Sequence, residues 1–337
     1  MLRHSSDSEP GYSRKRIGRY WAYYDGDKRV TDRATIERLN AIALPPAYKN
    51  AWFCKDPDGH LQATGIDARG RKQYRYHLLF RQQQESAKFD GLLEFGKALP
   101  RLRLRVEGDL KRPALTEQTV LAAVVRLLDT EHIRVGNQEY ARENQSYGAT
   151  TLRSSHLKQD GHRLIMRFRG KEGIIQEMTI TDTSLKRIIK RLQELPGQML
   201  FQYAGHDGAL HQVSSTEVNA YIKEATGEDF TAKHFRTWGA SVIALDQLLK
   251  KAEDARISVK SIIEPVAEAL GNTPAISRKA YVHPGLLEAV KEDPRDPLHG
   301  MLRPRAKARL SSTEVALLQF LSANSRTSGS DGRRAVA

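Results

Sequence analysis

Four separated segments of the chain carry side chains whose types suit the cutting and rejoining of a phosphodiester bond. In chain order they supply Arg134, Lys171, Arg236, Asn272 and Tyr281. A planar guanidinium can bind two phosphate oxygens and offset the negative charge that develops on them in the transition state. A lysine with a lowered pKa can protonate the leaving 5′ oxygen, and a tyrosine can attack phosphorus and hold the phosphate as an ester. Because that ester conserves the energy of the broken bond, rejoining would need neither ATP nor a metal ion.

Each of these residues has an ordinary explanation when it is considered singly. A lone arginine such as Arg134 or Arg236 most often forms a surface ion pair. Lys171 falls where a turn between two strands is expected, and Asn272 follows an apolar helix, where asparagine commonly ends the helix. Tyr281 is one of twelve tyrosines. The hypothesis of a transesterification site therefore depends on the ordered set together with the charge and the local sequence.

The charge of the chain favours a polyanionic partner. Its 337 residues carry a net charge of +14, from 54 Lys and Arg against 40 Asp and Glu. An excess of this size is typical of proteins that bind nucleic acid. Residues 71–76 (RKQYRY) alternate cations with tyrosines, which favours contact with phosphates and base edges over a merely solvated face. The alternative for this segment is a basic edge strand that resists aggregation.

Several classes of protein are disfavoured by what the sequence lacks. Cys54 is the only cysteine, so a disulfide within the chain and a cysteine-based zinc site are excluded. Neither G-x-x-x-x-G-K-S/T nor H-E-x-x-H occurs. No run of eighteen apolar residues predicts a membrane span, and residues 1–16 lack the apolar core of a secretory signal. We therefore expect a cytoplasmic protein without a cofactor.

The patterning of apolar residues predicts an α+β fold. We expect disordered tails at residues 1–14 and 322–337, a β-rich N-terminal DNA-binding domain at 15–80 and an α-rich catalytic domain at 81–321. Short aromatic and β-branched runs broken by Asp-Gly and Pro-Pro pairs predict the strands of the first domain. Strand spacing within residues 148–182 predicts one small sheet in the second domain. Helical spacing predicts its helices at residues 82–99, 115–128, 183–195, 215–226, 231–251, 261–270 and 312–321.

The local sequences around the candidate residues resemble type IB topoisomerases of the compact poxvirus and bacterial kind. The most specific matches are residues 133–137 (IRVGN) with Tyr140 following, residues 233–239 (KHFRTWG) and residues 273–281 (TPAISRKAY). The resemblance extends over most of the chain, from about residue 19 to residue 287. It implies the fold shared by tyrosine recombinases and type IB topoisomerases, with a small β domain before a helical catalytic domain.

The resemblance also implies roles for the five candidate residues. Tyr281 would attack the scissile phosphate and give a 3′-phosphotyrosyl enzyme and a free 5′ hydroxyl. Arg134 and Arg236 would bind the non-bridging oxygens, and Lys171 would be the general acid. Poxvirus enzymes carry a histidine where Asn272 stands. Because asparagine also donates a hydrogen bond, although as a neutral group, we interpret it as a mark of the bacterial branch.

Contacts with DNA outside the reacting phosphate are implied as well. Additional contacts with backbone phosphates would come from Tyr140 and Lys233. Contacts with DNA near the cut would come from Gln73, Tyr74 and Tyr76. The implied partner is double-stranded DNA, held by a monomer that closes around it as a clamp, with no membrane. The implied activity is relaxation of positive and negative supercoils in the cytoplasm, on the nucleoid.

Two alternatives stay open from the sequence. A tyrosine recombinase shares the chemistry, but it typically has a histidine three residues before the second arginine, where Lys233 stands; His234 lies only two before. The hypothesis of a tyrosine recombinase also does not explain the β-rich N-terminal domain. The second alternative is a catalytically inactive protein that binds duplex DNA and has kept only the fold.

Overall fold

The computed structural model describes residues 2–205, 207–251, 257–292 and 304–331. The chain divides into two compact units between Lys88 and Phe89. The expected boundary at residue 80 falls instead inside a helix, α2 (Leu78–Asp90), which belongs mostly to the first unit. In the described part of the chain, no helix combines the length and the apolar character needed to cross a membrane.

The first unit is built on one antiparallel sheet of six strands in the order β3-β2-β1-β4-β5-β6. The strands are β1 (Gly11–Ile17), β2 (Tyr20–Asp25), β3 (Lys28–Arg29), β4 (Lys49–Cys54), β5 (Leu61–Ile66) and β6 (Lys72–Tyr76). A short helix, α1 (Arg33–Ala41), begins at Asp32, whose carboxylate accepts a hydrogen bond from the main-chain N–H of Thr35 at 2.8 Å. Tyr23, Leu39 and Phe53 bury their side chains in its small core. The predicted mostly-β N-terminal region is confirmed.

The N-terminal residues differ from the expected disordered tail at 1–14. The N–H of His60 donates to the carbonyl of Arg3 at 2.8 Å, and Ser5 is only 1% exposed. The hydroxyl of Ser5 donates to the carbonyl of Leu61 at 3.1 Å. Polar residues that suggested a solvated tail therefore satisfy hydrogen-bonding groups at the start of β5, so the segment is tied to the sheet.

The second unit is helical with two small sheets. Its helices are α3 (Leu92–Leu110), α4 (Glu117–Glu131), α5 (Gln138–Asn144), α6 (Thr183–Gln193), α7 (Ser215–Thr226), α8 (Ala232–Lys251), α9 (Val259–Leu270), α10 (Pro274–Ala280), α11 (Pro284–Glu292) and α12 (Ser312–Asp331). Its strands are β7 (Leu157–Asp160), β8 (Arg163–Arg169) and β9 (Ile175–Ile180), which form an antiparallel sheet in that order, and β10 (Gln202–Ala204) with β11 (Leu210–Gln212), which form a hairpin. The predicted helical domain with a small sheet is confirmed.

One apolar core supports this unit. Helix α4 lies at its centre, because nearly every side chain from Val120 to Leu128 is buried. Phe95 of α3 meets Phe235 and Trp238 of α8 edge to face, with ring centroids 5.2 Å and 6.3 Å apart. Side-chain burial of this extent holds α4 and α8 rigidly, and those two helices position the two arginines of the candidate site.

Three details depart from the sequence interpretation. The helix expected at residues 82–99 is two helices, because the chain breaks at Gly91, where the absence of a side chain weakens the helix. One small sheet was expected in this unit, and the stretch between α6 and α7 adds a second, the β10–β11 hairpin. Helix α12 continues to Asp331, although disorder was expected from residue 322; a helix already formed on an apolar face extends at low cost per residue. Residues 332–337 of that expected tail lie outside the described residues.

Candidate active site

Four of the five candidate catalytic residues line one cavity in the second unit. The cavity measures about 210 Å³, and its walls include Arg134, Lys171, Asn272 and Tyr281. The fifth residue, Arg236, lies behind the tyrosine, with its guanidinium carbon 4.8 Å from the centre of the Tyr281 ring. The structure therefore brings together five residues that are spread over 148 positions of the chain.

Arg134 is positioned by the segment that follows α4. The helix ends at His132, which has a left-handed backbone with φ of 51°, and the chain continues extended. The carbonyl of Arg134 accepts a hydrogen bond from the N–H of Ala149 at 2.8 Å. A Cβ at Gly148 would lie 2.5 Å from that carbonyl oxygen, and Gly136 has φ of 97°. Glycines at these two positions therefore allow the close backbone approach that fixes the arginine.

Arg236 is a buried cation held by the ends of two helices. It is 4% exposed, and its guanidinium donates to the carbonyls of His132 at 2.5 Å and Leu270 at 3.1 Å. His132 ends α4 and Leu270 ends α9, and the carbonyl end of a helix carries partial negative charge. Burial lowers the pKa of Arg236, and the charge of Arg134 lowers it further. The partial negative charge of the two helix ends offsets part of the free-energy cost of burying the guanidinium.

Asn272 lies in the tight link between α9 and α10. Gly271, with φ of 57°, ends α9 in the left-handed conformation, and Thr273 begins α10 by accepting a hydrogen bond from the N–H of Ile276 at 3.3 Å. Pro274 occupies the first helical position, where its missing N–H costs nothing. Residues 271–274 thus stop one helix and start the next, and they leave Asn272 fixed between them.

Lys171 stands on the turn that connects β8 to β9. The turn spans Lys171–Gly173, and the N–H of Gly170 donates to the carbonyl of Ile174 at 2.8 Å to close it. Glu172, with φ of 63°, and Gly173, with φ of 81°, both take left-handed conformations in this turn. Lys171 is exposed and reaches the same cavity as Tyr281.

Tyr281 ends α10, and its phenol is more acidic than an ordinary tyrosine. Its N–H donates to the carbonyl of Ser277 at 3.1 Å. Burial by itself raises the pKa of Tyr281, but the charge and the hydrogen bond of Arg236, together with the charges of Arg134 and Lys171, outweigh it. The net result is a pKa below the ordinary 10.0. A phenol with a lowered pKa loses its proton more readily and is a better nucleophile.

Two buried N–H groups of the site have no hydrogen-bond partner within the described ranges of the chain. They are Nε of Arg236 and Nδ2 of Asn272. An unpaired buried donor is costly, and at a functional site it indicates a ligand that accepts the hydrogen bond. With Arg134 and Lys171 on the same cavity, the ligand that fits these donors is an anion with several oxygens.

The predicted contacts outside the cavity lie in two places. In the second unit, Tyr140 is 50% exposed on α5, and Lys233 is exposed in the first turn of α8; neither lines the cavity. In the first unit, Tyr74 and Tyr76 lie on β6 at one edge of the sheet with 48% and 41% exposure, and their rings stack 6.1 Å apart. The amide of Gln73 donates to Asp67 at 3.0 Å.

Sequence reasoning missed the main-chain groups that hold the site. The carbonyls of His132 and Leu270 bind the guanidinium of Arg236, and Gly271 shapes the link that carries Asn272. Every residue except proline has the same main-chain groups, so side-chain identity does not reveal these contacts. The run Gly271–Pro274 was nevertheless a detectable signal, because it combines a helix end with a helix start.

The second unit combines helices and small sheets with a cavity that holds a tyrosine, an arginine, a lysine and an asparagine, with a second arginine behind the tyrosine ring. The model for "Eukaryotic DNA topoisomerase I, catalytic core" matches residues 78–295, and the model for "Bacterial DNA topoisomerase IB, N-terminal domain" matches residues 20–67. The chain belongs to the type IB DNA topoisomerase family and is an enzyme of that family.

Individual relatives agree with this assignment. DNA topoisomerase 1B of Acanthamoeba polyphaga mimivirus is 33% identical over 315 residues, which cover 87% of this chain and 94% of that protein. DNA topoisomerase 1B of Vaccinia virus (strain Copenhagen) is 24% identical over 279 residues, which cover 77% and 83% respectively. Among solved structures, the XerH site-specific recombinase bound to difH aligns with a TM-score of 0.35 and 15% identity over 57% of this chain and 52% of that chain. A likeness at that level supports no conclusion about fold or function.

Proposed function

We propose that this enzyme relaxes positively and negatively supercoiled duplex DNA by cutting one strand with Tyr281 and resealing it. The observation that carries the proposal is the acidic phenol of Tyr281, with Arg236 behind its ring, in a cavity that Arg134 and Lys171 also line. The two unpaired donors, on Arg236 and Asn272, provide binding groups for the phosphate oxygens. The cationic side chains supply the charge that the transition state requires.

In the cutting step, the phenolate oxygen of Tyr281 forms a bond to phosphorus while the bond from phosphorus to the 5′ oxygen breaks. Arg134, Arg236 and Asn272 bind the non-bridging oxygens as their charge increases. Lys171 transfers a proton from Nζ to the leaving 5′ oxygen. The products are a 3′-phosphotyrosyl enzyme and a 5′ hydroxyl. Resealing is the same step reversed, so the phosphate ester supplies the energy and ATP is not consumed.

The remaining predicted residues serve binding in this proposal. Lys233 and Tyr140 contact the backbone of the DNA near the reacting phosphate, and Gln73, Tyr74 and Tyr76 present an amide and two aromatic rings to the duplex. The net charge of +14 supplies the attraction that is independent of DNA sequence. We propose that the enzyme works as a monomer around duplex DNA in the bacterial cytoplasm.

The proposal is tested by incubating the protein with plasmids of either supercoil sign in EDTA without ATP, and then trapping intermediates with denaturant. Relaxation of both signs, with protein attached to the 3′ end of a nick, is expected. Tyr281→Phe should bind duplex DNA and form no adduct. Tyr203→Phe, which changes a tyrosine on the β10–β11 hairpin, should still form the adduct. Relaxation that survives in Tyr281→Phe refutes the assignment.

The same experiment separates the alternatives. Strand exchange between two DNA sites, with adducts but without relaxation, would identify a tyrosine recombinase. Tight binding of duplex DNA with no adduct in the unmodified protein would identify a binding protein that has lost the reaction.

A further inference from the structure

Lys171 is the least constrained of the five proposed catalytic residues. It is exposed on a three-residue turn, whereas Arg236 is buried and the other three are half-buried. Transfer of its proton to the leaving oxygen requires a separation of roughly 2.6–3.2 Å between the heavy atoms. A turn at the end of a hairpin can pivot about the strands, so a further contact has to set its position relative to Tyr281.

Gln176 makes such a contact from β9. It is half-buried and pairs in register with Phe168 of β8, just beyond the turn that carries Lys171. A Cβ built on Gly271 would lie 1.9 Å from Nε2 and 2.3 Å from Oε1 of Gln176. A Cβ built on Gly170 would lie 3.1 Å from Cγ of Gln176. The Gln176 side chain therefore lies against both Gly170, at the base of the β8–β9 turn, and Gly271, in the link that carries Asn272.

The glycine at position 170 is explained by this contact. Its backbone, with φ of −88°, is one that any residue adopts, so conformational freedom does not require glycine there. A side chain would press on Gln176 and on the carbonyl of Ile174, which lies 3.3 Å from the built Cβ. Gly271 has two reasons to be glycine, its φ of 57° and the amide of Gln176. One side chain thus packs against two glycines, each next to a residue of the proposed site.

We propose that Gln176 is a positioning residue that sets the distance between Lys171 and the link carrying Asn272, from which α10 leads to Tyr281. The inference rests on the proposed function, because it assumes that Lys171 protonates the leaving oxygen. Gln176 touches no substrate in this proposal. It acts by packing, so that a shorter side chain at this position lets the hairpin move and separates the ammonium group from the 5′ oxygen.

The test compares two DNA substrates, one natural and one with sulfur in place of the bridging 5′ oxygen at the cleavage site. A thiolate leaves without being protonated, so cleavage of the sulfur substrate does not need the general acid. For Gln176→Ala, single-turnover cleavage of natural DNA should fall by about 10- to 100-fold, as expected for a misplaced catalytic group. Cleavage of the sulfur substrate should stay within about threefold of the unmodified enzyme.

Three further variants complete the experiment. Lys171→Ala should show the same pattern with a larger loss on natural DNA. Gln176→Met keeps the length of the side chain, so it should cleave natural DNA faster than Gln176→Ala. Thr179→Ala is the matched control, because Thr179 is exposed on β9, three positions along, on the opposite face from Gln176. It should leave both rates unchanged.

The outcomes separate the inference from the function on which it rests. Equal losses on both substrates for Gln176→Ala, or no loss on natural DNA, overturn the positioning role and leave the proposed function intact. If the cleavage rate of Lys171→Ala is not restored on the sulfur substrate, Lys171 is not the general acid. The inference about Gln176 is then refuted as well. If the unmodified enzyme forms no adduct with either substrate, the proposed function itself is refuted.

Discussion

The amide oxygen of Asn272 accepts a hydrogen bond from Nη2 of Arg134 at 2.7 Å, across 138 positions of the sequence. An arginine can only donate, so this contact determines which end of the amide faces it. The nitrogen of Asn272 is then the end without a partner among the described residues. The contact with Arg134 therefore orients the neutral amide of Asn272 so that its N–H group is the end left to donate a hydrogen bond.

Replacement of Asn272 should reveal this orientation. Asn272→Asp keeps the acceptor for Arg134 but replaces the donor with a negatively charged oxygen. We expect its cleavage rate to fall by about 10²-fold or more, and that of Asn272→Ala to fall less, because alanine removes the donor without adding repulsion. Single-turnover formation of the covalent adduct measures both. An aspartate variant as fast as the unmodified enzyme would show that this position does not donate to the phosphate.

Arg236→Ala should slow adduct formation by roughly 10²–10³-fold, since it removes a preorganised donor from the transition state. Arg236→Lys should not restore the rate, because one ammonium group cannot span the carbonyls of His132 and Leu270 as the guanidinium does. Arg187→Ala is a suitable control, since Arg187 also donates to a main-chain carbonyl, that of Leu110. A loss below about threefold for Arg236→Ala would place that residue outside the reacting site.

The ionisation of Tyr281 can be measured in the enzyme without DNA. Its pKa lies below the ordinary 10.0 because neighbouring cations favour the phenolate more than burial disfavours it. The difference in ultraviolet absorbance between the unmodified enzyme and Tyr281→Phe, followed against pH, reports ionisation of this tyrosine. It should show tyrosinate forming at a lower pH than in free tyrosine. Arg236→Ala removes the largest favourable charge, so the same transition should move to higher pH. A transition at or above the ordinary value in the unmodified enzyme would contradict the electrostatic description of the cavity.

Binding of duplex DNA should weaken steeply with salt. A cationic protein that contacts several phosphates releases counterions, so the logarithm of the affinity falls linearly with the logarithm of the salt concentration. If Lys233 contacts a phosphate, Lys233→Ala should reduce that slope by about one. Lys97→Ala should leave the slope unchanged, because Lys97 is paired with Glu94 on the surface of α3. An affinity independent of salt concentration would rule out binding through contacts between cationic side chains and the DNA phosphates.

A buried ionic cluster should contribute strongly to the stability of the second unit. Arg103 donates to Asp129 at 2.8 Å and to Glu314 at 2.7 Å, and the indole of Trp238 donates to Glu314 at 3.0 Å. Glu314→Gln leaves the arginine partly unpaired, so we expect a loss of about 3 kcal/mol in the free energy of unfolding. Glu94→Gln, in an exposed pair, should cost less than about 0.5 kcal/mol.

The contribution of Glu314 should depend on pH. Burial raises its pKa, but the hydrogen bond and charge of Arg103, together with hydrogen bonds from Trp238 and the N–H of Ser311, outweigh burial and hold the pKa below the ordinary 4.5. The carboxylate therefore stabilises the fold fully above that ordinary value, and the contribution disappears as pH falls through the lowered pKa. Denaturant titrations of the unmodified protein and Glu314→Gln should converge at acidic pH. A difference that persists unchanged there would assign the loss to packing.

Much of the architecture was predictable because it depends on local patterns. Helices at residues 215–226 and 231–251 were predicted within one residue of their observed ends, since apolar spacing and capping residues mark them. Departures arose where local composition and tertiary contacts disagree. Ser5 is typical of a solvated tail by composition, yet it is buried against β5 because the start of that strand needs hydrogen-bond partners.

The sequence by itself determined which residue types the candidate site contains. An ordered set of Arg134, Lys171, Arg236, Asn272 and Tyr281, together with a strongly basic chain, indicated phosphodiester chemistry and the family. Only the tertiary structure decided which groups orient them. The helix ends that hold Arg236, the contact between Arg134 and Asn272, and the packing of Gln176 against two glycines join segments far apart in the chain. The physical reason is that these contacts depend on which distant segments the fold brings together and, for Arg236, on main-chain carbonyls, and residue types and their spacing reveal neither.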